Sequence, residues 1–225
     1  MSTSTKEPRG ALRRIAADPV SRRRFFAVSG GTGAAALLVA CGDDEDSTTS
    51  GSNATTTDMP ENVSSQFGEG DLGIVNYALT LEYLEADFYE QVAKSGLFKG
   101  EDLALIKAIG DSEQQHVDAL LATVNSLDGE AAAAPKTEFP LDDAESVLDL
   151  AATVENLGAA AYLGAAGMIE DEGILAAALS IHSVEARHAA ALNVLTGQSP
   201  TPDGAFAKPA DMETVLAEVQ PFIVS

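Results

Sequence analysis

From Asp71 onward, apolar residues recur every three or four positions in four runs, each long enough for an amphipathic helix. The first run is Ile74, Tyr77, Ala78, Leu81, Leu84, Phe88 and Val92, with Gly96 as its stop. The second covers about 102–127 on Leu103, Ile106, Ile109, Val117, Leu120, Leu121 and Val124, and Gly129 ends it. The third covers about 143–169, with Val147, Leu150, Ala151, Val154, Leu157, Ala161 and Ala165 facing inward. The fourth covers about 173–196 through Ile174, Ala178, Ile181, Leu192 and Leu195, with Gly197 after it. The links after the first and third runs are short. Glu130 to Asp142, with Pro135 and Pro140, exceeds the roughly 2–8 residues usual between bundled helices, so it predicts a crossover running the length of a bundle. The pattern is all-α: a four-helix bundle with a long crossover between helices 2 and 3. Past Gly197 the chain is rich in Pro and Gly, and Asp211 predicts the cap of a short C-terminal helix to about Val219. Phe206, Phe222 and Ile223 are expected to pack on the bundle.

The two hairpins repeat in sequence. Thr80-Leu81-Glu82 through Tyr89 aligns with Thr153-Val154-Glu155 through Tyr162, pairing Glu82 with Glu155 and Tyr89 with Tyr162. Each hairpin then carries a Glu-x-x-His, at Glu113–His116 and Glu185–His188. Residues three apart share one side of a helix, so each motif aims a carboxylate and an imidazole in one direction. Counted at about 100° per residue, Glu113 falls among Ile106, Val117 and Leu120, and Glu185 among Ala178, Ile181 and Leu192. A lone carboxylate in an apolar face is costly unless it is paired or bound to metal. Glu82 and Glu155 stand at the edges of their faces, and their matched placement in the two halves adds them to the set. Glu82, Glu113, His116, Glu155, Glu185 and His188 therefore form the expected ligand set of a two-metal site on a pseudo-twofold axis. Four carboxylates and two imidazoles suit Fe or Mn rather than a thiolate-preferring ion. Two divalent cations would neutralise the four carboxylates.

Several neighbours are open to two readings. Glu85 lies nearer the centre of its apolar face than Glu82, but its counterpart is Gly158, so it reads as an extra carboxylate beside the site. His182, whose counterpart is Gly110, reads as a polar helix edge or a group supporting a ligand, and Asp118 as a group that orients one. Tyr89 and Tyr162 read either as core residues with satisfied hydroxyls or as hydrogen-bond and redox groups at the site.

Charge and composition divide the chain. Residues 1–40 carry seven Lys/Arg and two acids, a +5 segment that leaves −27 on the remainder of a −22 chain. So acidic a body excludes nucleic-acid binding through phosphates and attracts cations. The single Cys excludes an internal disulfide and any multi-Cys metal site. Basic residues, then the short apolar stretch Ala27–Ala40, read as a signal peptide too short to span a bilayer. Arg22-Arg23-Arg24-Phe25 resembles a twin-arginine export signal, and Leu38-Val39-Ala40-Cys41 a lipobox that makes Cys41 the lipidated first residue of the mature chain. These features predict three parts: a signal peptide over 1–40, a disordered polar tether over 41–68, and a bundle with a C-terminal tail over 69–225. The expected location is the outer face of the cytoplasmic membrane, held by lipid.

The paired motifs Leu81-Glu82-x6-Tyr89, Glu113-x-x-His116, Val154-Glu155-x6-Tyr162 and Ser183-Val184-Glu185-Ala186-Arg187-His188 resemble the ferritin-like superfamily. The likeness covers about residues 68–225, including Pro221-Phe222-Ile223, and points to bacterial ferritin-like proteins related to plant desiccation-related proteins. It implies a ferritin-like four-helix bundle with a di-iron or di-manganese centre, and O2 or peroxide as co-substrate. Expected activities are Fe(II) oxidation or peroxide consumption. A non-enzymatic role as a stress- or desiccation-related envelope protein is the alternative. The chain departs from cage-forming ferritins in its lipid tether and long polar linker. It also lacks a Cys-pair domain of the rubredoxin kind. Expected partners are metal ions, the membrane through Cys41 and, in an oligomer, further copies of the chain.

Overall fold

A long helix is carried by its apolar stripe, and each predicted run has one. In the computed structural model, which describes residues 59–224, six α-helices follow in order. They are α1 (Glu61–Phe67), α2 (Gly70–Lys94), α3 (Gly100–Ser126), α4 (Ala144–Ala165), α5 (Glu172–Leu195) and α6 (Met212–Val219). Three begin on an aspartate whose carboxylate accepts from otherwise unpaired N–H groups of the first turn: Asp143 from Ser146, Asp171 from Gly173 and Ile174, and Asp211 from Thr214. The predicted cap at Asp211 is thus in place. The stop assigned to Gly129 differs in detail. Asp128 takes the left-handed turn at φ 52°, while Gly129 is small because Leu72 fills its side-chain space, with Cδ1 2.3 Å from where a Cβ would stand.

The antiparallel pairs α2/α3 and α4/α5 form the bundle. The run of α2 against α4 is fixed by two reciprocal hydrogen bonds, Tyr89 to Glu155 and Tyr162 to Glu82. Earlier residues of one helix meet later residues of the other, so α2 and α4 are antiparallel. Since α3 opposes α2, α3 and α4 run the same way, and the link between them must travel the bundle's length. It does so along α2. Asn76 near the start of α2 donates to the Glu130 carbonyl and accepts from Ala132 N–H, while Asp87 and Gln91 near its end bond Thr137. From Asn76 to Asp87 the helix rises about 16 Å. The crossover also carries β1 (Lys136–Thr137), which pairs antiparallel with β2 (Ile223–Val224) at the C-terminus.

The core holds Leu84, Phe88, Val92, Ile106, Val147, Ala151 and Leu192 between the hairpins. Met212, Val215 and Val219 of α6 join that cluster. Phe222 and Ile223 pack at its edge as expected, and Phe222 stacks on Phe139. Three expectations change. The polar tether was drawn to residue 68, but Glu61–Phe67 is helical, because Val63 and Phe67 bury against the core. Leu195 is 49% exposed, in the last turn of α5, where Leu192 and Asn193 take the inward face. Phe206 is 85% exposed in the loop before α6 rather than packed on the bundle. Among the described residues no helix is long and apolar enough to cross a membrane. The signal peptide, Cys41 and most of the tether lie outside the described residues.

Candidate metal centre

The helix positions that phase inward bring the six predicted residues to one interior point. Glu82, Glu113, Glu155 and Glu185 are fully buried, His116 is buried and His188 half-buried. Their donor atoms form two groups within which every pair lies inside 4.8 Å: Glu82, Glu113, His116 and Glu185, and Glu113, Glu155, Glu185 and His188. The groups share Glu113 and Glu185 and differ in the remaining Glu and His. Exchanging the halves of the chain turns one group into the other, as the sequence repeat requires. The imidazoles lie with ring centroids 6.4 Å apart. His116 Nδ1 is 2.9 Å from Glu113, 3.1 Å from Glu185 and 3.3 Å from Glu82; His188 Nδ1 is 2.8 Å from Glu113 and 3.3 Å from Glu155.

Each outer glutamate is held by a tyrosine from the opposite hairpin. Tyr162 donates to Glu82 Oε1 at 2.6 Å, and Tyr89 to Glu155 Oε1 at 2.5 Å. The second oxygen, Oε2, is the one facing the imidazole in both cases. The tyrosines are thus buried hydrogen-bond donors at the site, the second of the two readings as far as hydrogen bonding goes. Gly110 permits this in the first hairpin, since a Cβ there would stand 2.8 Å from Tyr89 Cβ.

Burial drives the electrostatics. It raises the Glu82 pKa to about 8, against the bond to His116 and with repulsion from Glu185 and Glu113. Burial likewise pushes Glu155, Glu185 and Glu85 above the usual carboxylate range. Glu113 goes the other way. Burial raises it too, but bonds from both His116 and His188 outweigh that and bring it down to about 2. Burial lowers the two histidines, and the surrounding carboxylates overcome this, raising His116 to about 12 and His188 to about 10. Burial and the adjacent glutamate charge raise both tyrosines, so they stay protonated donors.

A sequence model of the ferritin-like domain matches residues 70–198, from the start of α2 to just past α5. The chain belongs to the ferritin-like domain family. Its fold resembles the crystal structure of a conserved hypothetical protein, Rv2844, from Mycobacterium tuberculosis, at TM-score 0.52 and 20% identity. That match covers 56% of this chain and 90% of the other, and at this identity it bears on the fold alone. No curated protein matches the chain.

The ferritin-like bundle's interior has the chemistry of a cation site. Glu113 Oε1, Glu155 Oε2, both oxygens of Glu185 and His188 Nδ1 are buried without a well-formed hydrogen bond. A buried polar atom left so costs about 1–3 kcal/mol, more when charged. His116 Nδ1 carries at most one proton yet faces three carboxylates, so it cannot satisfy them all. A cation in each group would pair these atoms at once, and four carboxylates match the charge of two divalent ions. The donors therefore fit metal, with Glu113 and Glu185 shared between the groups.

Two neighbours stand apart. His182 bonds the Ala159 carbonyl through Nδ1 at 3.0 Å and belongs to neither group. Asp118 is exposed and accepts from Gln114, so it orients no ligand. Sequence reasoning missed the Asn156–Asn193 pair, whose amides exchange hydrogen bonds at 2.8 and 3.2 Å across α4 and α5. Its signal was a polar residue in an apolar run, Asn193 beside Leu192.

Proposed function

We propose that this ferritin-like protein binds two iron ions, or two manganese ions, and uses them to oxidise Fe(II) or consume peroxide. The observation that carries the reading is the pair of overlapping Glu/His groups that share Glu113 and Glu185. When bound, such a pair supplies a redox couple and open positions for O2 or peroxide. Glu82 and His116 would hold one ion and Glu155 and His188 the other, with Glu113 and Glu185 available to both. Tyr162 and Tyr89 fix the outer glutamates by occupying one oxygen and aiming the other inward. The surrounding helices exclude bulk water, so charge on the carboxylates is felt strongly.

The reading extends to location: the twin-arginine-like signal and Cys41 support a bundle held outside the cytoplasmic membrane by a lipid anchor, with the polar stretch that follows Cys41 as its tether. Export of a folded protein suits a centre loaded in the cytosol.

Metal analysis after anaerobic Fe(II) reconstitution tests the proposal, with oxidation by O2 or peroxide followed optically. Two metals per chain, lost in Glu113→Ala/Glu185→Ala, are expected. Wild-type protein that takes up neither Fe nor Mn would leave a bundle whose glutamates serve no metal, and with it the non-enzymatic envelope role.

A further inference from the structure

One more carboxylate approaches the centre. Glu85 sits one turn beyond Glu82 on α2 and is only 3% exposed. Its Oε2 is buried with no hydrogen-bond partner. The charges bearing on it are Glu185, Glu82, Glu155 and Glu113, all of its own sign. On the other side an apolar cover of Leu81, Leu84, Val154, Leu157, Val215 and Val219 closes over it, the last two from α6. Among the described residues no Lys, Arg or His pairs with this group. A buried carboxylate in that position is costly unless something positive reaches it.

The second hairpin shows where it reaches. The half-repeat pairs position 85 with 158, and α4 has glycine there. A Cβ on Gly158 would stand 2.7 Å from Glu85 Oε1 and 3.2 Å from Glu185 Oε2. The space that a side chain at 158 would take is therefore filled by the Glu85 carboxylate, next to a bridging glutamate. One half supplies the acid and the other the hole that admits it.

We propose that Glu85 is a fifth carboxylate ligand of the metal centre, delivered from α2 through the gap at Gly158, and that it makes the two metal positions inequivalent. This rests on the two-metal reading. A cation shared with Glu185 pairs the orphaned oxygen and offsets the repulsion from the other four glutamates. The remaining ligands obey the pseudo-twofold; Glu85 alone breaks it.

The test is Co(II) titration of the full chain, purified in detergent and stripped with chelator, followed by visible absorption and calorimetry. Wild type binds two Co(II) in steps of unequal affinity. Glu85→Gln, nearly isosteric, weakens at least one step by about 10–100-fold, the loss typical when a metal site's support is removed. Its metal-free melting temperature stays close to that of wild type, because the amide keeps the shape of a carboxyl that burial already favours in its neutral form. Glu85→Met, close in length and suited to the apolar cover, also weakens that step; if Glu85→Gln does not fold, this variant decides alone, since Gly158→Ala would crowd Glu185 as well. Two Co(II) bound to either folded variant with wild-type affinities overturns the role of Glu85 and leaves the two-metal reading intact. A wild type that binds no Co(II) overturns both.

Discussion

At the scale of single residues, the centre is a set of side chains whose environments contradict their solution chemistry. Burial favours neutral carboxyls, whereas the six-residue cluster keeps imidazoles charged among them. For His116, His188 and Glu82 the folded-state pKa lies above the ordinary value, at about 12, 10 and 8. The stability they contribute is full below the unfolded values of 6.5 for His and 4.5 for Glu and is lost as pH rises through the folded ones. Glu113, lowered to about 2, contributes above 4.5 and fails only as pH falls through that value. The metal-free protein is therefore expected to melt at progressively lower temperature as pH rises from about 5 to 10. Metal binding needs neutral imidazoles and so releases protons. The rise in melting temperature on adding metal should grow over the same interval, and melts at pH 6 and 8.5 with and without Mn(II) measure it. A gain that shrinks with pH would contradict this proton bookkeeping. Tyr89→Phe makes a second test. It strands Glu155 Oε1, costs about 1–3 kcal/mol in thermal or urea unfolding, and lowers metal affinity by about 10–100-fold. Tyr162→Phe should do the same through Glu82. The inward aim of Glu113 and Glu185 was legible in the sequence because helix phase alone sets it. That both donor groups share them was not, since sharing depends on how four helices pack and no single helix encodes it.

At the scale of elements, the segment leading into α6 is seated on α4 by a close approach of backbone to backbone at a glycine. The glycine is Gly164: a Cβ there would stand 1.9 Å from the Ala210 carbonyl oxygen, just before α6, and Ala210 N–H bonds Ala160 O at 3.0 Å. Gly164→Ala must push this strand of backbone away, because neither partner is a flexible side-chain tip. Overpacking of this kind costs about 1–3 kcal/mol, less up to about 1 kcal/mol regained from the better helix former. Loosened packing of α6, read as faster hydrogen exchange over 212–219 with α2–α5 unchanged, is the expected result; uniform protection across α6 would show that the seat adapts. The long helices were legible because their period persists for six turns or more, and the crossover because its prolines and length left no alternative. The helix at Glu61–Phe67 was not. Its seven residues offer only Val63 and Phe67 as apolar anchors among polar neighbours, too few to show a period, and the groove they fill exists only once α2 has folded.

For the whole molecule, charge is the property that no single contact explains. Residues 59–225 hold six Lys/Arg against 28 Asp/Glu, and only Glu82, Glu85, Glu113, Glu155 and Glu185 of these acids are buried. The rest repel one another across the surface, which destabilises the folded state at low ionic strength. Screening lengths fall from about 30 Å at 0.01 M to about 10 Å at 0.1 M salt, so monovalent salt should relieve the exterior. The buried centre is screened far less, and under the two-metal proposal it answers to multivalent cations instead. The two effects separate experimentally. Raising NaCl from 0.01 to 0.3 M should lift the melting temperature of wild type and of Glu113→Ala/Glu185→Ala by the same amount. Adding Mn(II) at 100 times its dissociation constant, in 0.3 M NaCl, should then stabilise wild type by a further ~2.7 kcal/mol for each ion bound. For a domain of this size that is roughly 5–10 °C per ion. The double variant should gain nothing. An equal Mn(II) response in both proteins would mean that the acidic surface, and not the interior, takes up the ion.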